Sequence, residues 1–279
     1  MPLDDVWRVA DAYRATYDER VSWGEEEAAR RKLAVVSICR TAMPHLEKTM
    51  ALVESLASKW RSASWYIYEN DSADNTAAIL DEFAASRPWV DVEHETVGEE
   101  DLRGFQASRT HRLARHRSRC QRWVLENAPD ADYVVVLDTD PHGGFVVDGV
   151  LNSLGWMCHL HGEVCNRKAG AMASHSFFVR REGEGKFGIA AYDAWAARLS
   201  WFEDLGHYVW FHTLLPPIGS RPIPMNSAFG GLCLYTADAY LSGVYAGGDC
   251  EHVSFHRAMQ LAGHQLYLNP GSRYIAVLP

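Results

Sequence analysis

Two carboxylates, Asp138 and Asp140, follow directly after an apolar run at residues 133–137. The run is mostly β-branched, which predicts a buried strand that ends where the carboxylates begin. Ligands of open α/β sheets bind at the carboxyl ends of strands, and carboxylates two residues apart can share a hard cation with a nucleotide diphosphate. The sequence therefore predicts a metal–diphosphate site in which Asp138 and Asp140 bind the metal and Asp138 and Thr139 bind the nucleotide. The alternative is a strand that ends in a solvated, aspartate-rich turn.

Positive charge is concentrated just before this strand. Seven arginines lie within a stretch of 20 residues that is predicted to be helical, namely Arg103, Arg109, Arg112, Arg115, Arg117, Arg119 and Arg122. Arg109 and Arg117 keep helical spacing with the apolar pair Leu113 and Ala114 and so share one side of the helix with it. An arginine on that side points toward the protein and needs an anion, and a diphosphate suits its planar fork. We therefore predict that Arg109 and Arg117 bind the nucleotide, and that most of the other arginines form a solvated helix face.

Polar residues also follow the first two predicted strands, at residues 32–38 and 65–68. Because the carboxyl ends of parallel strands meet at one edge of a sheet, these residues should face the nucleotide. The predicted nucleotide-binding residues at the two strand ends are Ser37, Cys39, Arg40, Glu69, Asn70 and Asp71. The alternative for the second strand end is an Asx turn in which Ser72 or Asp74 caps the next helix.

Two further motifs lie near the end of the chain. In the first, Gly230 and Gly231 precede an apolar run, where a glycine pair lets the backbone approach a ligand closely, unless it forms only a bulge or tight turn. In the second, two carboxylates and two histidines lie within eight residues, namely Asp249, Glu251, His252 and His256. The histidines are one helical turn apart, so both can face one site. The alternative is a capped amphipathic helix whose histidines are incidental.

Strand and helix signals alternate through the first half of the chain. This alternation predicts an α/β fold with a Rossmann-type, mainly parallel central sheet flanked by helices. We expect one domain over residues 1–279, with a helical extension at 1–31, a nucleotide-binding half at 32–145 and a smaller, less regular acceptor-binding half at 146–279. Short strands are predicted in the second half at 169–174, 176–179, 266–268 and 274–277.

Composition excludes several classes of protein. The chain of 279 residues has 47% apolar residues and no apolar run approaching the roughly 20 residues of a membrane span. Its net charge of −9 argues against broad nucleic-acid binding, although a local basic patch could still hold a nucleic-acid acceptor. The six cysteines include no Cys-x-x-Cys pair and the N-terminus carries no signal-peptide pattern. These features predict a cytoplasmic protein without structural zinc.

The order of the motifs resembles a known family. The chain carries Glu-Asn-Asp-Ser-x-Asp-x-Thr at 69–76, Arg109 with its apolar pair, Asp-x-Asp at 138–140, Ser-Ala-Phe-Gly-Gly at 227–231 and Cys-Glu-His-Val-x-Phe-His at 250–256. In this order they resemble metal-dependent nucleotide-sugar glycosyltransferases of the GT-A fold. The chain is most similar to the fungal capsule-associated mannosyltransferases and their bacterial and viral relatives, over about residues 32–270.

The resemblance implies a reaction and a set of partners. A sugar would move from a UDP- or GDP-sugar to a hydroxyl of a glycan, lipid, small molecule or modified nucleobase. A divalent metal would be held by Asp138, Asp140 and one of His252 and His256, and an imidazole ligand favours Mn²⁺ over Mg²⁺. The residues expected to bind sugar or acceptor are Ser227, Phe229, Gly230 and Gly231. Asp249 or Glu251 would be the catalytic base if transfer inverts the anomeric centre.

Two other functions remain open from the sequence. One is another metal-dependent phosphate enzyme, such as a nucleotidyltransferase or phosphoesterase, although the chain lacks the glycine-rich phosphate loop with lysine that many of these carry. The other is a non-catalytic binding protein that has kept the fold. The intact Asp138 and Asp140 argue against the second.

Overall fold

The computed structural model describes residues 8–98, 106–139, 144–160, 168–183, 186–201 and 209–278. Asp140, one of the predicted metal ligands, lies outside these ranges. None of the described helices is both long enough and apolar enough to cross a membrane.

Alternating strands and helices build the first half. The strands are β1 (Lys32–Cys39), β2 (Ser62–Asn70), β3 (Val90–Glu95) and β4 (Tyr133–Leu137), and the helices are α1 (Arg14–Ala28), α2 (Leu46–Ala57), α3 (Thr76–Ala85) and α4 (Ala107–Asn127). A short 3₁₀ turn at Asp11–Tyr13 precedes α1. The four strands pair in parallel in the order β3-β2-β1-β4. Their carboxyl ends therefore meet at one edge, as the alternation predicts.

The second half extends this sheet. Its strands are β5 (Gly144–Phe145), β6 (Lys168–Ser174), β7 (Phe177–Gly183), β8 (Lys186–Ala191), β9 (Ile223–Met225), β10 (Leu232–Thr236), β11 (His264–Asn269) and β12 (Tyr274–Leu278). Its helices are α5 (Val147–His159), α6 (Val209–His212), α7 (Ala237–Ser242) and α8 (Glu251–Leu261). The described part of the central sheet runs β3-β2-β1-β4-β10-β6-β11-β9. The predicted α/β fold with a mainly parallel central sheet is confirmed.

A second sheet, in the order β5-β12-β7-β8, packs beside the first. The sequence predicts β12 and part of β7, but it does not predict β8 or the sheet itself. Its pairing is non-local: β12 lies parallel to β7, with Ile275 opposite Phe177. The hydrophobic pattern along the chain gives no information about such partners. The second half therefore contains more regular secondary structure than the sequence predicts.

Both faces of the central sheet are buried. Along β4, Val134 and Val136 join one hydrophobic core, while Val135 and Leu137 join the other. The first core is closed by α4, α7 and α8, and the second by α1, α2 and α5. Strands buried on both faces read as continuous apolar runs, which is the pattern of residues 133–137. The two cores hold β4 between them. Asp138 directly follows β4 and therefore lies at the carboxyl edge of the sheet.

Candidate active site

A cavity of about 610 Å³ opens at the carboxyl ends of β1, β2 and β4. Many of the predicted site residues line it, namely Cys39, Arg40, Asn70, Asp71, Arg109, Arg117, Asp138, Thr139, Phe229, Glu251 and His252. The lining also includes residues that sequence reasoning did not single out as site residues, such as Arg112, His116, Tyr192, Asp193 and Trp195. Helix α4, the two loops after β1 and β2, and the start of α8 therefore enclose one space.

Arg117 lies at the centre of the described site. Its Nη2 donates to Asp138 Oδ1 at 2.9 Å and its Nε donates to Glu251 Oε1 at 3.0 Å. The guanidinium also lies 4.8 Å from the ring centre of Phe229. Burial opposes the charge, but Asp138 and Glu251 outweigh it and raise the pKa of Arg117 well above its ordinary value. Arg117 therefore stays charged and joins the end of β4 to the start of α8.

Two other arginines on this side of α4 are less buried than Arg117. Arg109 and Arg112 line the cavity and are only partly buried, whereas Arg117 is buried. Arg119, on a neighbouring face, pairs with Glu93 and Glu95 at the edge of the sheet, at 2.5 and 2.6 Å. The face of α4 that contains Leu113 thus points into the cavity, as its spacing predicts.

At the end of β2, neighbouring residues have different surroundings. Asn70 and Asp71 line the cavity, and Asp71 Oδ1 accepts from the backbone N–H groups of Val97 and Gly98, both at 3.1 Å. Glu69, predicted to bind nucleotide, instead faces the interior. Its Oε1 accepts from the Ser72 backbone at 3.0 Å and its Oε2 contacts His94 Nδ1 at 2.7 Å. A side chain occupied in this way organises the loop after β2 and does not line the cavity.

Hydrogen bonds also define the surroundings of Ser37 and of Asp74, one of the two residues in the Asx-turn alternative. Ser37 is buried and its hydroxyl accepts from Trp65 Nε1 at 3.1 Å, so it does not line the cavity. Asp74 Oδ1 accepts from the Thr76 backbone at 3.0 Å in the first turn of α3. The N-cap residue of α3 is Asn75, so the alternative in which Ser72 or Asp74 caps this helix is wrong. Asn70 and Asp71 line the cavity, and their binding of a nucleotide stays a prediction.

The two histidines of α8 differ sharply. His256 is fully buried, with Nδ1 3.0 Å from Ser227 Oγ and Nε2 2.9 Å from Tyr235 Oη, so both ring nitrogens are occupied. His252 lines the cavity and stacks on Phe229 at 3.9 Å, yet neither of its nitrogens has a hydrogen-bond partner among the described residues. Burial, together with the charge of Arg117, lowers the pKa of His252 well below its ordinary value. His252 is thus a neutral imidazole with unused lone-pair capacity, whereas His256 joins core elements.

The glycine pair shapes the site without lining it. Gly230 and Gly231 have φ of +68° and +77°, and a Cβ at Gly230 would lie 2.3 Å from the Ser174 carbonyl oxygen. The Gly231 carbonyl accepts from the Asp138 backbone N–H at 2.8 Å. The tight-turn alternative therefore describes this pair. Ser227 is likewise buried against His256, so of the four residues expected to bind sugar or acceptor only Phe229 lines the cavity.

Asp249, a predicted base, does not line the cavity. Arg198 Nη2 donates to its Oδ1 and Oδ2 at 3.1 and 3.2 Å, and the Cys250 backbone donates to Oδ1 at 2.6 Å. Arg198 itself is only 2% exposed, so the ion pair fixes the loop before α8. Asp249, whose side chain is 40% exposed, thus pairs with a buried arginine.

Asp193 is the acidic residue that sequence reasoning missed. It follows β8, has φ of +63°, and lines the cavity between Tyr192 and Trp195. The Gly230 backbone N–H donates to its Oδ2 at 3.0 Å. Burial raises the pKa of Asp193 to about 7; the charges of Asp138 and Glu251 add to this effect. An aspartate between two aromatic residues was the available signal in the sequence.

The described residues contain no group of three histidine, cysteine or acidic side chains close enough to hold a metal. Asp140 is not among them. Of the residues predicted to bind a metal, Asp138 and His252 line the cavity. They are connected by three contacts, from Asp138 to Arg117, from Arg117 to Glu251 and from Glu251 to His252.

Comparison with known proteins bears on the fold. No protein-family model and no curated protein matches the chain. Among solved structures, GalNAc-T7 with UDP, GalNAc and Mn²⁺ has a TM-score of 0.53 and 14% identity, over 89% of this chain and 44% of that one. TarS 1–349 of S. aureus has a TM-score of 0.50 and 9% identity, over 88% of this chain and 60% of that one.

These similarities define a class by fold. The chain has the GT-A fold of nucleotide-sugar glycosyltransferases. It spans less than half the length of GalNAc-T7 and 60% of the TarS fragment. At these identities the likeness extends to the fold alone.

Proposed function

We propose that this chain is a metal-dependent glycosyltransferase that moves a sugar from a nucleotide-diphosphate donor to a hydroxyl acceptor. The observation that carries the proposal is the cavity at the carboxyl edge of a GT-A fold, because it combines Asp138, a row of arginines and the start of α8. The similar GalNAc-T7 structure contains UDP, GalNAc and Mn²⁺, which supports a donor of this class.

The donor would lie across the ends of β1, β2 and β4. Asn70 and Asp71 would face the nucleoside, because they line the cavity where β2 ends. Arg109 and Arg112 would bind the diphosphate, since both line the cavity and remain partly exposed. Guanidinium groups suit phosphate oxygens in both charge and geometry. Arg117 already donates to Asp138 and Glu251, so it would face the diphosphate from behind these two carboxylates.

The residues present suit a divalent metal. Asp138 offers a carboxylate and His252 offers an imidazole whose nitrogens lack hydrogen-bond partners in the described part of the chain. Buried polar atoms without partners are costly, so a ligand at His252 would remove that cost. We propose Asp138, Asp140 and His252 as the protein ligands and Mn²⁺ as the preferred ion, because an imidazole is a borderline ligand. When bound, the metal would neutralise charge on the leaving diphosphate.

The acceptor would enter from the side of β8 and α8. Phe229, Tyr192 and Trp195 line this part of the cavity and offer apolar faces to a sugar. The proposed acceptor is defined by its chemistry: a hydroxyl group on a glycan, lipid, small molecule or modified nucleobase. The transferred sugar is a hexose or a pentose.

Thermal denaturation with UDP and with GDP, each with and without Mn²⁺, tests the proposal. One diphosphate should raise the Tm, and Mn²⁺ should increase that rise. Asp138→Ala should abolish the part that depends on Mn²⁺ while the fold, measured by circular dichroism, persists. If neither diphosphate changes the Tm with Mn²⁺ present, the proposal is refuted. Release of phosphate from nucleotides without sugar transfer would indicate a phosphate enzyme instead.

A further inference from the structure

Asp193 has a backbone conformation that residues other than glycine rarely adopt. Its φ of +63° places a non-glycine residue in the left-handed region. This conformation is uncommon for residues other than glycine and occurs often at functional sites. Here it directs a carboxylate into the cavity between Tyr192 and Trp195, both of which line the same space.

One oxygen of this carboxylate is anchored and the other is not. Oδ2 accepts from the Gly230 backbone N–H at 3.0 Å. The second oxygen, Oδ1, accepts no hydrogen bond from any residue in the described ranges. Because Gly230 lies in the turn that also holds the Asp138 backbone through Gly231, the anchor sets Asp193 in a fixed relation to the proposed metal site. The unanchored oxygen is available to a substrate hydroxyl.

The two bases expected from the sequence are occupied. Glu251 is only 4% exposed and its Oε1 accepts from Arg117 Nε at 3.0 Å. Asp249 accepts from Arg198 with both carboxylate oxygens. A carboxylate that already accepts hydrogen bonds from a guanidinium has fewer lone pairs available to an acceptor hydroxyl.

Asp193, in contrast, has no arginine or lysine partner within the part of the chain that the structure describes. Its pKa, raised to about 7 by burial and by neighbouring carboxylates, suits proton transfer near neutral pH. The positive charge of Arg117 lowers the pKa of Asp193, but it does not cancel the effect of burial.

We propose that Asp193 is the catalytic base of an inverting transfer and accepts the proton of the attacking hydroxyl. The assignment rests on the proposed glycosyltransferase function. In the step, the acceptor oxygen forms a bond to the anomeric carbon while its proton passes to Asp193 Oδ1. The bond between the anomeric carbon and the diphosphate oxygen breaks, and its electron pair leaves with the diphosphate. The new bond forms on the opposite face of the sugar, so an α-linked donor gives a β product.

The test uses water as the acceptor, so the natural acceptor need not be known. The probes are UDP-glucose, UDP-N-acetylglucosamine and GDP-mannose with Mn²⁺, and proton NMR at early times records both the rate of hydrolysis and the anomer first released. Wild-type protein should release the β anomer from at least one donor. Asp193→Asn should slow this hydrolysis roughly 100- to 10,000-fold, which is the usual contribution of a general base.

Two controls separate catalysis from structure. Asp193→Asn should keep the Tm rise given by the matching diphosphate with Mn²⁺, and its residual rate should lose the rise with pH that the wild type shows near neutrality. Asp18→Asn, at a side chain that is 59% exposed on α1, should leave the rate unchanged.

The outcomes distinguish the two proposals. Release of the α anomer by wild-type protein, or normal hydrolysis by Asp193→Asn, would overturn the role of Asp193 while leaving the glycosyltransferase intact. Loss of the neutral pH dependence in Glu251→Gln but not in Asp193→Asn would assign the base to Glu251 instead. A wild-type protein that neither binds nor hydrolyses any of the probes would overturn the proposed function itself.

Discussion

Replacing Arg117 by methionine should strongly destabilise the protein. Methionine keeps an unbranched, apolar side chain against Phe229 but removes the charge between Asp138 and Glu251. Breaking a buried ion pair by removing one partner costs about 3–5 kcal/mol, because the remaining charge stays buried. That loss is a large fraction of the roughly 5–15 kcal/mol that stabilises an ordinary domain.

The exposure of the two partners sets the size of the effect. The Glu251 side chain is 4% exposed and cannot regain water, whereas the Asp138 side chain is 19% exposed and can do so in part. The costs of the two pairs therefore should not add, and we expect a total of about 3–5 kcal/mol. With roughly 2–4 °C per kcal/mol in domains somewhat smaller than this chain, the Tm should fall by about 10 °C.

Urea denaturation at neutral pH in the presence of EDTA measures this loss. The matched control is Arg122→Met, because Arg122 lies on the same helix and is exposed. The control should change the free energy of unfolding by no more than about 0.5 kcal/mol. Arg117→Met with the stability of Arg122→Met would refute the reasoning that the central guanidinium neutralises both carboxylates.

A double-mutant cycle isolates the pair with Glu251. Combining Arg117→Met with Glu251→Gln should cost less than the sum of the single changes, since the double variant leaves no unpaired carboxylate on α8. The coupling should fall in the range of about 0.5–3 kcal/mol. Added Mn²⁺ should restore part of the stability of Arg117→Met if the metal takes the place of the guanidinium beside Asp138.

Three further predictions concern the histidines, the helix contact and pH. His252→Ala should weaken Mn²⁺ binding by roughly 10–100-fold, whereas His256→Ala should leave it unchanged and instead cost about 1–3 kcal/mol for each hydroxyl left unpaired; calorimetry and urea denaturation separate the two. Gly155→Ala should destabilise the protein despite the higher helix propensity of alanine, because its Cβ would lie 2.0 Å from the Arg20 carbonyl oxygen on α1; an increase in Tm would contradict this. Because folding raises the pKa of Asp193 from 3.8 to about 7, the native state holds a proton that the unfolded chain has lost between these values. Wild-type stability should therefore fall relative to Asp193→Asn as pH rises through that window, and parallel urea profiles would contradict this.

The sequence was most informative where a strand is buried on both faces. The predicted strands at 32–38 and 133–137 match Lys32–Cys39 and Tyr133–Leu137, because continuous β-branched runs occur in parallel strands covered by helices. The same argument located Asp138 at the cavity, since the position of a strand end follows from the end of the apolar run. These inferences need only local pattern and one rule about sheets.

The sequence could not decide properties that depend on partners distant in the chain. His252 and His256 are one helical turn apart on α8 and have identical chemistry. What separates them is Ser227 and Tyr235, which occupy both nitrogens of His256. Asp193 was missed for a similar reason, because its anchor at Gly230 lies 37 residues away and joins it through the turn of another strand. No local pattern encodes such contacts.

One face of α4 explains how a single helix can supply both a structural ion pair and ligands for an anion. Arg109, Arg112 and Arg117 all line the cavity, but Arg109 and Arg112 are partly exposed whereas Arg117 is buried. A buried arginine with neither water nor a charged partner would be too costly. Asp138 and Glu251 therefore neutralise Arg117 within the protein, whether or not a ligand is bound. Arg109 and Arg112 are partly exposed, and in the proposed function they would bind the diphosphate. If the proposed function is correct, the depth of each arginine determines whether it stabilises the protein or binds the ligand.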